Sequence, residues 1–501
     1  MGGLGRPGVA AVKWSTVSTV ARFVLQLGAQ VVLARTLGPE IFGIFAIGMV
    51  VLTFANFVSS FGFSWSLMQR ATLHPDDVRF AWTWQILVGL ATMVAVYLAA
   101  PWLAGYFREP RAEPVIQWLS IACLLSAAAA PATYLLQRDL NFRAVGIVQV
   151  ASYAAGYVCV GMPMALMGWG ASSLVAAWLV QAAVQLVASY AYHPHEVKPL
   201  FWYADAKAAI TTGRAVFLTN IVNWVLGNLD RIMIGRLLNA QALGLYNVAA
   251  NLATMPNTLL LGALQPAFLA AGAKLQHDLP RLGRAYLQMV STVVVLAVPA
   301  FVFMALVAQD LVHLLYGPKW SDAGWVLTAL FLAMPVYVIW GLSTPVLWNT
   351  HRKNHEFALQ LPLIAVGALA FYAFAGRGIH TAAAIAALLL VARALVIAIA
   401  AFRALCLPLA SIAPQVGRGL MLSALCALGV WIGQSAVARF DSPLVSLMSA
   451  GLLSLIVAGV PVLLRPQWLG TDTVDMLLRF FPQLARFFRR EPAAQLSESL
   501  P

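Results

Sequence analysis

Apolar runs of about 18 or more residues recur along almost the whole chain, separated by short clusters of Arg, Lys, Pro and Gly. No other feature constrains the fold as strongly. In hydrocarbon every backbone polar group must be satisfied internally, which leaves only helices and closed barrels. Barrel strands are shorter and alternate apolar with polar residues, so continuous runs specify helices. About fourteen spans are expected, beginning near residues 15, 41, 80, 114, 143, 171, 210, 242, 285, 322, 356, 380, 415 and 444. With 61% hydrophobic and 10% charged residues and a mean hydropathy of +0.82, little is left for a soluble domain. The expectation is an all-α polytopic membrane protein.

The formal charge of +13 does not point to nucleic acid, because the basic residues are scattered over many short loops and a tail. Membrane orientation accounts for them. With a cytoplasmic N-terminus, 21 of the 31 Lys and Arg fall on the inner side and seven on the outer side. The last three, Arg22, Arg231 and Arg393, lie within spans. This bias predicts that both termini are cytoplasmic. The four cysteines, Cys123, Cys159, Cys406 and Cys426, fall in apolar runs without a CxxC pair and read as packing residues. The first run lacks an A-x-A cleavage pattern and reads as a retained span. In the tail, Leu477, Leu478, Phe481, Leu484, Phe487 and Phe488 interleave with Arg479, Arg486, Arg489 and Arg490. An interfacial helix on anionic lipid is expected there.

One internal offset organises the chain. ARTLGPEIFGIF (Ala34 to Phe45) aligns without gaps on GRLLNAQALGLY (Gly235 to Tyr246) at a shift of 201, matching Arg35 to Arg236, Gly43 to Gly244 and Phe45 to Tyr246. The same shift lays the first span on the seventh and the second on the eighth, so both copies share one orientation. The expected architecture is two six-helix lobes related by this repeat around a central cavity, plus two C-terminal helices. The boundaries read 1–14 cytoplasmic N-terminus, 15–195 N-lobe, 196–209 cytoplasmic linker, 210–403 C-lobe, 415–465 last two spans and 466–501 amphipathic tail.

Polar residues fall on matching stripes. Ser15, Thr19, Arg22, Gln26 and Gln30 recur every three or four residues in the first span, as do Asn220, Asn223, Gly227 and Arg231 in the seventh. Asn247, Asn251, Thr254 and Asn257 or Thr258 share one face of the eighth. A charge at mid-membrane costs about 2.5 to 3.5 kcal/mol on insertion scales, so the stripes are expected to face the interior cavity. Taken singly, an amide reads first as interhelical glue, contributing about 0.6 kcal/mol. The adjacent Asp230 and Arg231 point about 100° apart on a helix and cannot easily neutralise one another. Two readings stay open. Either Arg231 faces the cavity as an anion contact, with Asp230 orienting it or a neighbouring polar group. Or Asp230 is capped by Asn228, and Arg231 snorkels outward towards Arg236.

LDRIMIGRLLNAQALGLYNVAANLATMP, continued by LQPAFLAAGAKLQHDLPRLGRAY, resembles the signature region of the polysaccharide transport family. These are the Wzx and WzxC type flippases of the multidrug, oligosaccharidyl-lipid and polysaccharide exporter superfamily. LARTLGPEIFGIFA, SLMQR, APWLAGYFREP, YLLQRDLNFRAV and LYGPKWSDAG extend the resemblance over residues 15 to about 350. It implies an undecaprenyl-pyrophosphate-linked oligosaccharide as cargo, moved from the cytoplasmic to the periplasmic leaflet for exopolysaccharide, capsule or O-antigen synthesis. A pyrophosphate needs cations and donors, which Arg22, Arg231, Gln26 and Gln30 would supply. Sugars need amides, hydroxyls and aromatic faces, available at Asn220, Asn223, Asn247, Asn251 and Asn257, with Trp224 or Tyr246. Asp230 completes the candidate set. Membrane lipids are partners, and the polymerase and export machinery are candidates.

A cation-coupled multidrug exporter is the nearest alternative, but it needs buried carboxylates, and Asp230 is the one intramembrane acid the sequence displays convincingly. A peptidoglycan-precursor flippase shares the cargo chemistry. A membrane glycan polymerase is more distant: no outer loop is expected to exceed about a dozen residues, and the eight histidines are dispersed. No catalytic residue, metal or cofactor is expected. The energy source, a Na⁺ or H⁺ gradient or removal of cargo downstream, is not written in the sequence.

Overall fold

The computed structural model describes residues 6–60, 67, 73–203, 206–275, 278–350, 352–440 and 442–480, for some helical residues by their backbone only. Among the described residues every regular element is helical. In order these are α1 (Arg6–Ser60), α2 (Pro75–Tyr106), α3 (Ala112–Arg138), α4 (Phe142–Leu166, with a π-helical middle at Ala154–Gly161) and α5 (Ala171–Tyr192). Then follow α6 (Ala206–Leu237), α7 (Ala240–Leu275), α8 (Leu279–Leu306), α9 (Ala308–Tyr316) and α10 (Ser321–Asn349). The last are α11 (Lys353–Phe374), α12 (Ile379–Ala404), α13 (Ala413–Ala436), α14 (Pro443–Leu464) and α15 (Thr471–Phe480). Eleven of the described helices are long and apolar enough to cross a membrane. The outer part of the tail expected at the interface, beyond Phe480, lies outside the described residues.

α1 is 55 residues long, about 80 Å at 1.5 Å per residue, far more than a hydrocarbon core of about 30 Å. It therefore covers the first two expected spans and breaks between them. Gly38 adopts φ 78°, ψ 172°, a conformation open to glycine at no steric cost, and Pro39 follows as the first residue of the new segment. Pro39 has no N–H to return to the Arg35 carbonyl. Just before the break, the Ala34 carbonyl accepts from Trp320, whose indole N–H donates to it at 3.1 Å. Trp320 is fully buried, edge-on to Phe42 with ring centres 5.6 Å apart.

The break between α6 and α7 falls at Asn239, 201 residues after Gly38, the offset of the sequence repeat. There the helix start is capped by a side chain: Asn239 Oδ1 accepts from the Ala242 amide at 2.8 Å. The two breaks also touch each other. A Cβ built on Gly43 would run into the carbonyl oxygen of Ala240, and one on Gly244 would run into that of Pro39. Under the offset Gly43 matches Gly244 and Pro39 matches Ala240, so the contact is reciprocal. Backbones approach this closely in lipid only where side chains are absent.

The helices group into two compact units. One comprises Met1–Val248, Tyr316–Trp320 and Ala368–Ala382; the other Ala249–Leu315, Ser321–Gly367 and Ala383–Pro501. Within the first, α2 lies along α3, α3 packs on α1 and α5, and α1 packs on α4 and α6. Within the second, α8 is central and meets α10, α13 and α15, while α13 pairs with α14. Its core is built around Tyr286, flanked by the rings of Phe268 and Phe402, with its hydroxyl 2.7 Å from Ser343 Oγ. Large apolar side chains such as Leu98 and Tyr372, 72% and 78% exposed, stand on the outside of the helices. Lipid, not water, is the solvent such a surface fits.

Candidate functional site

The first unit resolves the Asp230–Arg231 pair. Side chains on a helix lean towards its N-terminus, and Arg231 follows that rule. Its Nη1 donates to the Gly227 carbonyl one turn back at 3.3 Å, and its Nε donates to Asn247 Oδ1 of α7 at 3.0 Å. It therefore turns away from Arg236, whose guanidinium lies over the Tyr106 ring, 5.1 Å from its centre. Among the described residues no carboxylate pairs with Arg231. Both of its acceptors are neutral, so the guanidinium is oriented without its charge being cancelled.

Asp230 is held by a different partner. The buried Tyr246 hydroxyl of α7 donates to its Oδ2, and its Oδ1 accepts from the Arg231 amide at 2.8 Å. Asn228 does not cap it; Asn228 Nδ2 donates to the Trp224 carbonyl at 2.9 Å. At the sequence offset Asp230 has no acidic counterpart. At the shift of 201, Asp230 falls on Ala29 and Tyr246 on Phe45, so both members of the hydrogen bond are apolar in the first copy, and both are buried there. The same comparison accounts for a buried, unpartnered amide nitrogen. Gln30 corresponds to Arg231, but the position of its acceptor Asn247 is Ala46 in the first copy, and Gln30 Nε2 has no hydrogen bond.

Of the other candidate side chains, Arg22 donates from Nη1 to Gln149 Oε1 of α4 at 3.2 Å, again to a neutral amide. Gln26 and Asn223 are half-buried on α1 and α6. The side chain of Asn220 lies outside the described residues. Further along α7, in the second unit, Asn251 is exposed and Asn257 is buried. Asn257 Nδ2 lies 2.7 Å from Met334 Sδ, and its Oδ1 has no hydrogen-bond partner. Trp224 packs its ring on Phe54, with centres 4.8 Å apart. The structure thus brings Arg231 to Asn247 and Asp230 to Tyr246.

Three features were not singled out from the sequence. Gln149, partner of Arg22, sits in a span whose polar residues follow no stripe. Trp320 lies in the LYGPKWSDAG motif, yet its bond to the kink of α1 links residues 286 positions apart. The third is a polar network in the second unit around the buried carboxylate of Glu356. Glu356 accepts from Thr344 Oγ1 at 3.2 Å and Trp348 Nε1 at 2.8 Å. Nearby, Arg393 Nε donates to Gln360 Oε1 at 2.8 Å and stacks on Trp340, 4.5 Å from its ring centre. The sequence conceals Glu356 because it stands at the start of α11, where a carboxylate ordinarily meets water.

The chain is 26% identical over 350 residues to the lipopolysaccharide biosynthesis protein WzxC of Escherichia coli K12, an alignment covering 68% of each chain. It is 25% identical over 367 residues to the succinoglycan biosynthesis transport protein ExoT of Rhizobium meliloti, covering 73% of this chain and 74% of that one. Among solved structures it superposes on the lipid II flippase MurJ in an inward closed conformation. There the TM-score is 0.72 at 13% identity, over 89% of this chain and 98% of that one, a likeness of fold. Residues 32–324, more than half of the chain, match the family model described as polysaccharide biosynthesis protein, and it is to this family that the chain belongs.

Proposed function

We propose that the protein is a flippase that carries an undecaprenyl-pyrophosphate-linked oligosaccharide repeat unit from the cytoplasmic to the periplasmic leaflet of a bacterial inner membrane. The observation that carries this reading is the state of Arg231. A guanidinium within a span, oriented by Asn247 and the Gly227 carbonyl and matched by no carboxylate among the described residues, keeps both its charge and spare donors for an anion. Arg22, held by Gln149, repeats the arrangement. A diphosphate supplies the missing negative charge, and the amides of α6 and α7 suit sugar hydroxyls. The names of the relatives WzxC and ExoT, in lipopolysaccharide and succinoglycan biosynthesis, support a glycan cargo.

The protein acts as a transporter and not as an enzyme. Alternating access by two six-helix lobes moves the polar head while the prenyl tail stays in lipid. Both termini face the cytoplasm, following the charge bias of the loops. The polymerase and export machinery receive the translocated unit. A multidrug pump fits less well, because Asp230, half-buried on α6, and Glu356, buried at the start of α11, already accept hydrogen bonds from the protein.

The test is deletion of the gene followed by analysis of lipid-linked intermediates. Accumulation of complete repeat units on the cytoplasmic face is expected; incomplete glycans would indicate a glycosyltransferase instead. Arg231→Gln, at wild-type membrane level, is expected to restore transport at least about tenfold less well, the loss of one charge-assisted contact. Full restoration would remove Arg231 from the cargo site.

A further inference from the structure

On the second unit, the end of α10, the start of α11 and the second half of α12 enclose an open cleft of about 460 Å³. Its apolar lining comes from the fully buried Leu347 of α10, Leu359 of α11 and Val396 and Ile399 of α12. Arg352 and Arg403, both exposed, complete the lining. The positions follow from helix register. Val396, Ile399 and Arg403 recur at intervals of three and four and share one face of α12, while Arg393, Ile397 and Ala401 point into the protein and are buried. On α11, Glu356 and Gln360 are buried, whereas Leu359 and Leu361 are exposed. The two helices are therefore tied on their inner faces, by the bond from Arg393 to Gln360, and leave a slot between their outer faces.

These two lining cations differ from Arg393. The side chains of Arg352 and Arg403 are exposed, and among the described residues neither makes a hydrogen bond or ion pair. Two unpaired guanidinium groups lining an otherwise apolar slot complement one kind of molecule, an amphiphile with a phosphate head and hydrocarbon chains. We infer that this cleft is a binding site for an anionic glycerophospholipid, with the phosphodiester between Arg352 and Arg403 and an acyl chain along Leu359, Val396 and Ile399. Bulk lipid is the occupant because the cleft opens on the apolar outer surface of the helices, beside the exposed Leu361 and Leu395. Both arginines lie in segments whose charge bias marks the cytoplasmic side, where anionic headgroups draw basic residues. The site is separate from Arg231 and does not depend on the nature of the cargo.

The test uses the purified full-length protein in detergent, with phosphatidylglycerol or phosphatidylcholine of matched chains added, read by native mass spectrometry and by melting temperature. Wild type is expected to retain one phosphatidylglycerol preferentially and to melt several degrees higher with it than with phosphatidylcholine. The double variant Arg352→Gln, Arg403→Gln should lose that retention at least tenfold while melting like wild type in the absence of lipid. Arg439→Gln combined with Arg465→Gln, an equal change of charge at exposed sites elsewhere, should keep it. Leu359→Trp, which fills the slot and spares both cations, should also lose it. Equal retention by the Arg352 and Arg403 variant, or equal binding of phosphatidylcholine, would overturn the inference. So would one-for-one displacement of phosphatidylglycerol by undecaprenyl phosphate through the same arginines, which would make the occupant the cargo lipid.

Discussion

The bond between Tyr246 and Asp230 can be tested by a double-mutant cycle whose end point is already present in the chain. Tyr246→Phe removes the hydroxyl and leaves the carboxylate short of a donor, a loss of about 1.5 to 3 kcal/mol for a bond to a charged group. Asp230→Ala removes the acceptor and strands a phenolic O–H on a residue 1% exposed, about 1 to 3 kcal/mol. If the two effects were independent, the double variant would lose about 2.5 to 6 kcal/mol, the sum of those ranges. It instead installs the Ala and Phe that the first copy carries at Ala29 and Phe45, 1% and 8% exposed, where no polar atom needs a partner. A coupling of about 1 to 3 kcal/mol in favour of the double variant is expected. Equilibrium unfolding of the purified protein in mixed micelles with increasing dodecyl sulfate measures it, and the order of melting temperatures provides a check. Both single variants should fall below the double variant. Additivity within about 0.5 kcal/mol would refute the pairing and the use of the first copy as its apolar template.

Three further outcomes follow from the same part of the fold. Gly43→Ala or Gly244→Ala places a methyl against a backbone carbonyl that has no flexible end to give way, so each should lower stability by about 1 to 3 kcal/mol, measured in the same unfolding assay. Trp320→Phe keeps the packing on Phe42 but removes the hydrogen bond to the Ala34 carbonyl, about 0.5 to 1.5 kcal/mol, with faster amide exchange on both sides of Gly38 as the local signature. At the loop between α2 and α3, the Arg111 guanidinium, 2.7 Å from Glu109, holds that carboxyl below the usual carboxylate range against the opposing effect of burial. A lowered carboxylate contributes stability that is complete above its unfolded pKa, about 4.3, and is lost as pH falls through the folded value. Amide exchange around Arg108 should therefore rise on acidification below about pH 4, and Glu109→Gln should flatten that dependence.

The helices were legible because their signal is local: each apolar run is its own specification in lipid. The break at Gly38 and Pro39 was also written locally, as a glycine and a proline in succession. Arg231 and Asn247 were both marked by their polarity, and Asp230 by its strangeness. What a stripe cannot supply is the partner across a helix junction. Tyr246 reads as an ordinary aromatic residue until the ring is seen to deliver a hydroxyl to Asp230, and the sign that could have revealed it was the paired change to Ala29 and Phe45 in the other copy. Arg393 was marked as a charge within a span, but its network with Glu356 and Gln360 stayed hidden for another reason. They come from two helices, 33 residues apart between Gln360 and Arg393, and a network of that reach has no period.

The meeting of Gly43 with Ala240 and of Gly244 with Pro39 has a meaning for ancestry as well as for packing. A contact that maps onto itself when the copies are exchanged is isologous, the kind a two-fold symmetric dimer makes. Two separate chains of six spans, inserted in the same orientation, would present this surface to each other before any linker joined them. Fusion of the genes would then preserve the interface and release each copy to diverge away from it. The polar pair at Asp230 and Tyr246, set against the apolar pair at Ala29 and Phe45, would then be a product of that divergence, with Tyr246 two residues beyond the Gly244 of the junction.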